Sequence, residues 1–138
     1  MIGVVVAGHG KFPEGLVSTT KRIMGDLREV AAIAPRPVEK PYDFQVRLEK
    51  VIEKVSSQEG VLVLVDIYGG SASSYCLQMQ KDFPIRVITG ASLPMLLAAI
   101  HSRKKMKDLD AVANLVEQVG KKSITNMEVG GTRLKISW

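Results

Sequence analysis

Val61-Leu62-Val63-Leu64-Val65 runs directly into Asp66-Ile67-Tyr68-Gly69-Gly70-Ser71. Five consecutive apolar residues leave no polar face to turn toward solvent, so the segment reads as a strand covered on both sides, as in a parallel sheet. Asp66 marks its carboxyl end. Beyond the glycines, Ala72, Tyr75, Cys76 and Met79 recur at helical spacing over Ser71 to Lys81, with Ser71 as the expected N-cap.

The same alternation extends in both directions. Upstream, Ile2 to Ala7 is a continuous apolar strand, followed by a short helix from Leu16 to Met24 closed by Gly25. Arg28 to Ala34 reads as a second strand. Pro35-Arg36-Pro37 to Pro41 must be a loop, because each proline removes an N–H donor and restrains the residue before it. Phe44, Leu48, Val51, Ile52 and Val55 then form the apolar stripe of a helix from about Tyr42 to Ser57. Downstream, Ile85 to Thr89 is a fourth strand ended by Gly90. A helix carrying Leu93, Leu96, Leu97 and Ile100 follows, then a last helix capped by Asp108, faced by Leu109, Val112, Ala113, Val116 and Val119, and ended at Gly120. Strand and helix in repeated alternation require right-handed crossovers, so the expected fold is α/β, a doubly wound sheet of four parallel strands with helices on both faces. Around Gly130-Gly131, the alternating Met127, Val129, Leu134, Ile136 and Trp138 have no helix between them and predict an antiparallel C-terminal strand or hairpin. An apolar edge of this kind needs a cover, so the tail, residues 121–138, is expected to be exchanged or packed at a dimer interface.

The chain has 138 residues, room for one domain spanning 1–138; 46% are hydrophobic and 24% charged, values of an ordinary globular protein. No apolar run approaches the length of a membrane-spanning helix. Met1 leads into Ile2 to Ala7 without a basic n-region, so export is not expected and the cytoplasm is. The single cysteine, Cys76, can form no internal disulfide and no cysteine-based zinc cage. Nineteen Lys and Arg against 14 Asp and Glu give a net charge of +5. The one dense cluster, Arg103-Lys104-Lys105 with Lys107, has no interleaved aromatic residue to stack on a base. It reads as a solvated helix end, and no nucleic-acid partner is expected.

Ligands of open α/β sheets bind at the carboxyl ends of the strands. The first strand delivers Gly8-His9-Gly10 to that rim, the third Asp66 with Gly69-Gly70-Ser71, and the fourth Gly90-Ala91-Ser92. A neutral imidazole keeps one nitrogen lone pair free as a nucleophile. A carboxylate on its other nitrogen fixes the tautomer and stabilises the cationic form, the role expected of Asp66 toward His9. Amides of a glycine-flanked turn at a helix start suit a phosphoryl group, which makes Gly70 and Ser71 candidate phosphate ligands. Gly10 beside His9 gives the group room to approach. His101, near a helix end, and the six methionines read as structural residues.

With these segments the chain resembles the IIA domains of the mannose-type sugar phosphotransferase system. The resemblance rests on Val5-Val6-Ala7-Gly8-His9-Gly10, Ile23-Met24-Gly25, Gly60 to Ser71, and Gly90-Ala91-Ser92-Leu93-Pro94-Met95, and reaches to about Gly120. It implies a phosphocarrier that accepts a phosphoryl group from phospho-HPr on His9, paired with Asp66 and supported by Gly70 and Ser71. The group would pass to a IIB component during sugar uptake. It further implies a homodimer exchanging C-terminal strands, without metal or cofactor. Ala72 stands where the family usually has proline, Ser92 where asparagine is common, and the loop from Pro35 to Pro41 is unusual for it. Gly-His-Gly after a first strand is also similar to small tetrapyrrole metal chelatases, which need a second metal-facing histidine; here that could only be His101. A two-component receiver would need an acidic pair where Gly8-His9 stands, and a histidine phosphatase an arginine where Gly8 stands.

Overall fold

The computed structural model describes residues 1–128. In chain order it holds β1 (Gly3–Ala7), α1 (Phe12–Met24), β2 (Val30–Ile33), α2 (Pro41–Val55), β3 (Val61–Val65), α3 (Ser71–Met79), β4 (Ile85–Thr89), α4 (Leu93–Ser102) and α5 (Leu109–Lys122). The four strands form one parallel sheet in the order β2-β1-β3-β4. Val61 to Val65 is buried along its whole length, as its unbroken apolar run requires.

Side chains alternate between the two sheet faces, and the core divides accordingly. Val4, Val6, Leu62 and Leu64 pack with Leu16 of α1, Leu96 of α4 and Val112 and Val116 of α5. On the opposite face, Val5, Val61, Val63 and Val65 pack with Phe44, Leu48 and Ile52 of α2 and with Cys76 and Met79 of α3. The buried positions of α2, Phe44, Leu48, Ile52 and Val55, all belong to its predicted stripe, and Val51 is half-buried beside them.

Four expectations are corrected. Helix α1 begins at Phe12, one turn before Leu16, because Pro13 suits a first turn whose N–H groups need no intrahelical acceptor. Ser71 does not cap α3: Gly70 is the N-cap, and Ser71 is the first helical residue. Gly120 does not end α5, which continues through Lys121 and Lys122. A Cβ at Gly120 would lie 2.8 Å from Cγ and Sδ of Met95, so the glycine is a point of close helix packing inside α5. Arg103, finally, is not solvated like Lys104 and Lys105 beside it. It is 3% exposed, and its guanidinium donates to the backbone carbonyls of Arg28 at 2.6 Å, Ile2 at 3.0 Å and Glu29 at 3.4 Å, tying α4 to the amino-terminal ends of β1 and β2. Residues 124–128 have no regular secondary structure, and the expected C-terminal strand lies otherwise outside the described residues.

Candidate functional site

The chain leaves β1 for β2 on one side and reaches β3 on the other, so the crevice between the carboxyl ends of β1 and β3 is the topological switch point of the sheet. Ala7 and Val65 are register partners there. His9 and Asp66, one or two residues further on, therefore emerge side by side. The Asp66 amide donates to the carbonyl of Ala7 at 3.2 Å, and the Gly8 amide to that of Ile33 at 3.1 Å, fastening both exits to the sheet.

One carboxylate oxygen organises the pair. Oδ2 of Asp66 accepts from the backbone amide of His9 at 2.8 Å and lies 2.9 Å from Nδ1 of its ring. Burial tends to raise the Asp66 pKa, and its second oxygen, Oδ1, has no hydrogen-bond partner among the described residues. The hydrogen bonds and charge of His9, with the Ile67 amide, outweigh that penalty and hold the carboxyl below its ordinary value. An ionised carboxylate can only accept, so in the neutral ring Nδ1 carries the proton and Nε2 keeps its lone pair. The His9 side chain is 66% exposed and that of Asp66 17%: the ring stands largely in solvent while its carboxylate partner is largely shielded.

Gly8 is what allows the approach. A Cβ there would stand 2.7 Å from both Cγ and Oδ2 of Asp66. The close neighbour that requires a glycine here is the chain's own carboxylate. Gly10 takes φ +57°, with nothing near its missing side chain, and turns the chain from β1 into α1.

The third component is the start of α3. A Cβ on Gly70 would lie 3.6 Å from Cε1 of His9, so the ring rests against the helix N-cap. No side chain caps this end, and the amides of its first turn have no intrahelical acceptor. Ser73 donates instead to the Gly70 carbonyl at 2.8 Å, bracing the turn. Gly8, Pro35, Val65, Gly70, Ser71 and Ala72 line a small cleft around the pair. Pro35, which no local pattern pointed to, is there because β2 lies beside β1. His9, Asp66, Gly70 and Ser71 are thus brought together. His101 is not among them: it is exposed in the last turn of α4, whose first turn faces the rim.

The family model EIIA-man, described as the PTS system fructose IIA component, matches residues 3–117, which contain every element of this site. The chain belongs to the mannose-type IIA family of the sugar phosphotransferase system. It is 29% identical over 119 residues to the fructose-specific EIIA component of Bacillus subtilis, covering 83% of this chain and 80% of that protein. The mannose-specific EIIAB component of Escherichia coli K12 is 27% identical over 124 residues. That match takes in 89% of this chain but 38% of the longer relative. The crystal structure of an EIIA component from Streptococcus agalactiae superposes with a TM-score of 0.82 at 26% identity, covering 91% of this chain and 97% of that one. This IIA component is accordingly a phosphotransferase of a sugar-uptake system. Neither the site nor the relatives support the chelatase reading. Among the described residues no helix is long and apolar enough to cross a membrane.

Proposed function

We propose that His9 is the phosphoryl carrier of this IIA component, loaded by phospho-HPr and discharged to a IIB component. The observation that carries this reading is the double grip of Asp66 Oδ2 on His9, which leaves Nε2 free at the rim beside the start of α3. In the loading step the Nε2 lone pair attacks the phosphorus held on the donor's histidine. A bond from Nε2 to phosphorus forms as the donor's nitrogen–phosphorus bond breaks, and the donor imidazole leaves with that electron pair. The proton on Nδ1 stays, and the positive charge developing on the ring is stabilised by Asp66. First-turn amides of α3, with the hydroxyl of Ser71, would take the phosphoryl oxygens, while the open space at Gly10 lets the group approach. Discharge to IIB reverses the chemistry.

The test is incubation with phosphoenolpyruvate, enzyme I and HPr, followed by mass spectrometry of the intact protein. An acid-labile phosphoryl group is expected on the wild type and none on His9→Ala. Label surviving that substitution would refute the assignment.

We further propose that residues 1–138 act as one domain in the cytoplasm and pair as a homodimer. Among the described residues β4 pairs only with β3. Its other side borders a groove of about 610 Å³ lined in part by Thr89, Gly90, Asn114, Glu117 and Lys121. A C-terminal strand from a second copy would cover that edge. Light scattering at micromolar concentration should give a dimer mass; a monomer would count against it.

A further inference from the structure

Between β2 and α2 the chain forms a short strap, Pro35 to Lys40, in which two costly features coincide. Val38 has φ +54°, a conformation that a β-branched residue adopts only under constraint. It is also fully exposed, so an apolar side chain is held in solvent by a strained backbone. Among the described residues nothing repays either cost.

The strap is nevertheless held rigidly. Arg47 of α2 grips the Glu39 carboxylate with both arms, Nε to Oε2 at 2.6 Å and Nη2 to Oε1 at 2.7 Å, and donates again from Nη2 to the Ala34 carbonyl at 2.8 Å. The Arg36 amide also donates to Glu39 Oε1, at 3.0 Å. With Glu39 neutralised in this way, the exposed charges of the strap are the cations Arg36 and Lys40, and Tyr42 adds a second exposed apolar surface, 73% accessible, just beyond it. The strap leaves the sheet at the functional rim: Pro35 lines the His9 cleft, and Val38, three residues on, can stand no more than about 11 Å of chain away. A protein that covers His9 reaches this ground.

A phosphoryl group carries no record of the sugar it will reach, whereas relatives of this chain are named for fructose and for mannose. What separates one system from another must therefore be met outside the cleft, by the protein that takes the group onward. We infer that the strap is a preformed docking element for the phosphoryl acceptor: Val38 and Tyr42 enter an apolar hollow of the IIB component, and carboxylates flanking that hollow meet Arg36 and Lys40. The inference rests on the reading of His9 as the carrier.

A small donor with no docking surface separates the two. Phosphoramidate can load the full-length chain directly: its nitrogen–phosphorus bond breaks, ammonia leaves, and the bond from Nε2 to phosphorus forms. Wild type, Val38→Gly and Arg36→Glu should load from phosphoramidate at rates within twofold of one another. Loaded Val38→Gly and Arg36→Glu should then discharge to the IIB component that accepts from wild type at least tenfold more slowly at subsaturating concentration, while loading from phospho-HPr stays within threefold. Because glycine accepts φ +54° freely, Val38→Gly should melt no lower than wild type, which separates lost docking from lost folding. Discharge at the wild-type rate in both variants overturns the inference while leaving His9 standing, and so does an equal slowing of loading from phospho-HPr. Failure of phosphoramidate to load wild type on His9 overturns the carrier reading and this one with it.

Discussion

Gly8→Ala is the sharpest perturbation of the site, because it adds one carbon beside the Asp66 carboxylate and touches nothing else in the pair. The new Cβ would fall 2.7 Å from Cγ and Oδ2 of Asp66, where ordinary contact begins at 3.4 Å. The carboxylate must therefore retreat by about 0.7 Å. Taken up along its two hydrogen bonds, now 2.8 and 2.9 Å, that retreat stretches both to about 3.5 Å or more, where they cease to be effective. Loss of an orienting carboxylate behind a histidine costs roughly 10- to 100-fold, equivalent to about 1.4 to 2.7 kcal/mol on the barrier. Two weakened charge-assisted hydrogen bonds should lower stability by about 1 to 3 kcal/mol. The assay is single-turnover loading from phospho-HPr, with urea unfolding in parallel. Gly15→Ala serves as control: it lies within α1 with nothing in its Cβ direction, so it should load as wild type and be about 0.5 to 1 kcal/mol more stable. A Gly8→Ala protein that loads at the wild-type rate would refute the reasoning, since either the carboxylate moves without cost or its grip on His9 is irrelevant to transfer.

Asp66→Asn keeps the shape and removes the charge, and it should slow loading by a similar factor. Because the Asp66 carboxyl lies below its ordinary 3.8 in the folded chain, its contribution to stability is complete above that pH and is lost as pH falls through the folded value. Asp66→Asn should flatten the acid limb of a stability–pH curve followed by circular dichroism, and superimposable limbs would reject the pairing. Arg103→Ala strips donors from three backbone carbonyls and leaves a void, so urea unfolding should show a loss of about 2 to 4 kcal/mol; a loss below about 1 kcal/mol would show that the buried guanidinium is dispensable. Burial pushes the Cys76 thiol up to about 12, so the native protein should not react with a thiol-specific disulfide reagent at pH 8 and should react fully once unfolded. Rapid native labelling would contradict that burial.

The elements that could be read in advance are those whose pattern is local. A wholly apolar Val61–Val65 can sit only between two covered faces, and the Phe44, Leu48, Ile52 stripe of α2 needs a sheet to rest on; both lie where that logic puts them. The readings that failed concern how far a local signal extends. Ser71 has the side chain of an N-cap yet stands one residue inside α3. Arg103 sits among lysines and looks solvated, but three carbonyls just ahead of the distant strands β1 and β2 wait for it. No window of sequence contains those carbonyls.

Residue chemistry along the chain sufficed for the class of fold, and for the inventory of the rim: an imidazole after one strand, a carboxylate after another, and glycines opening a helix. Those properties depend on hydrophobic periodicity and side-chain type, which are written one residue at a time. Only the packed sheet determined that β1 and β3 are neighbours, that a single oxygen of Asp66 grips His9 twice, that Gly8 is small for the sake of that oxygen, and that Pro35 closes the cleft. The contact between His9 and Asp66 is set between residues 57 apart in the chain. It follows from which strand lies beside which, a choice made by the burial of both sheet faces together.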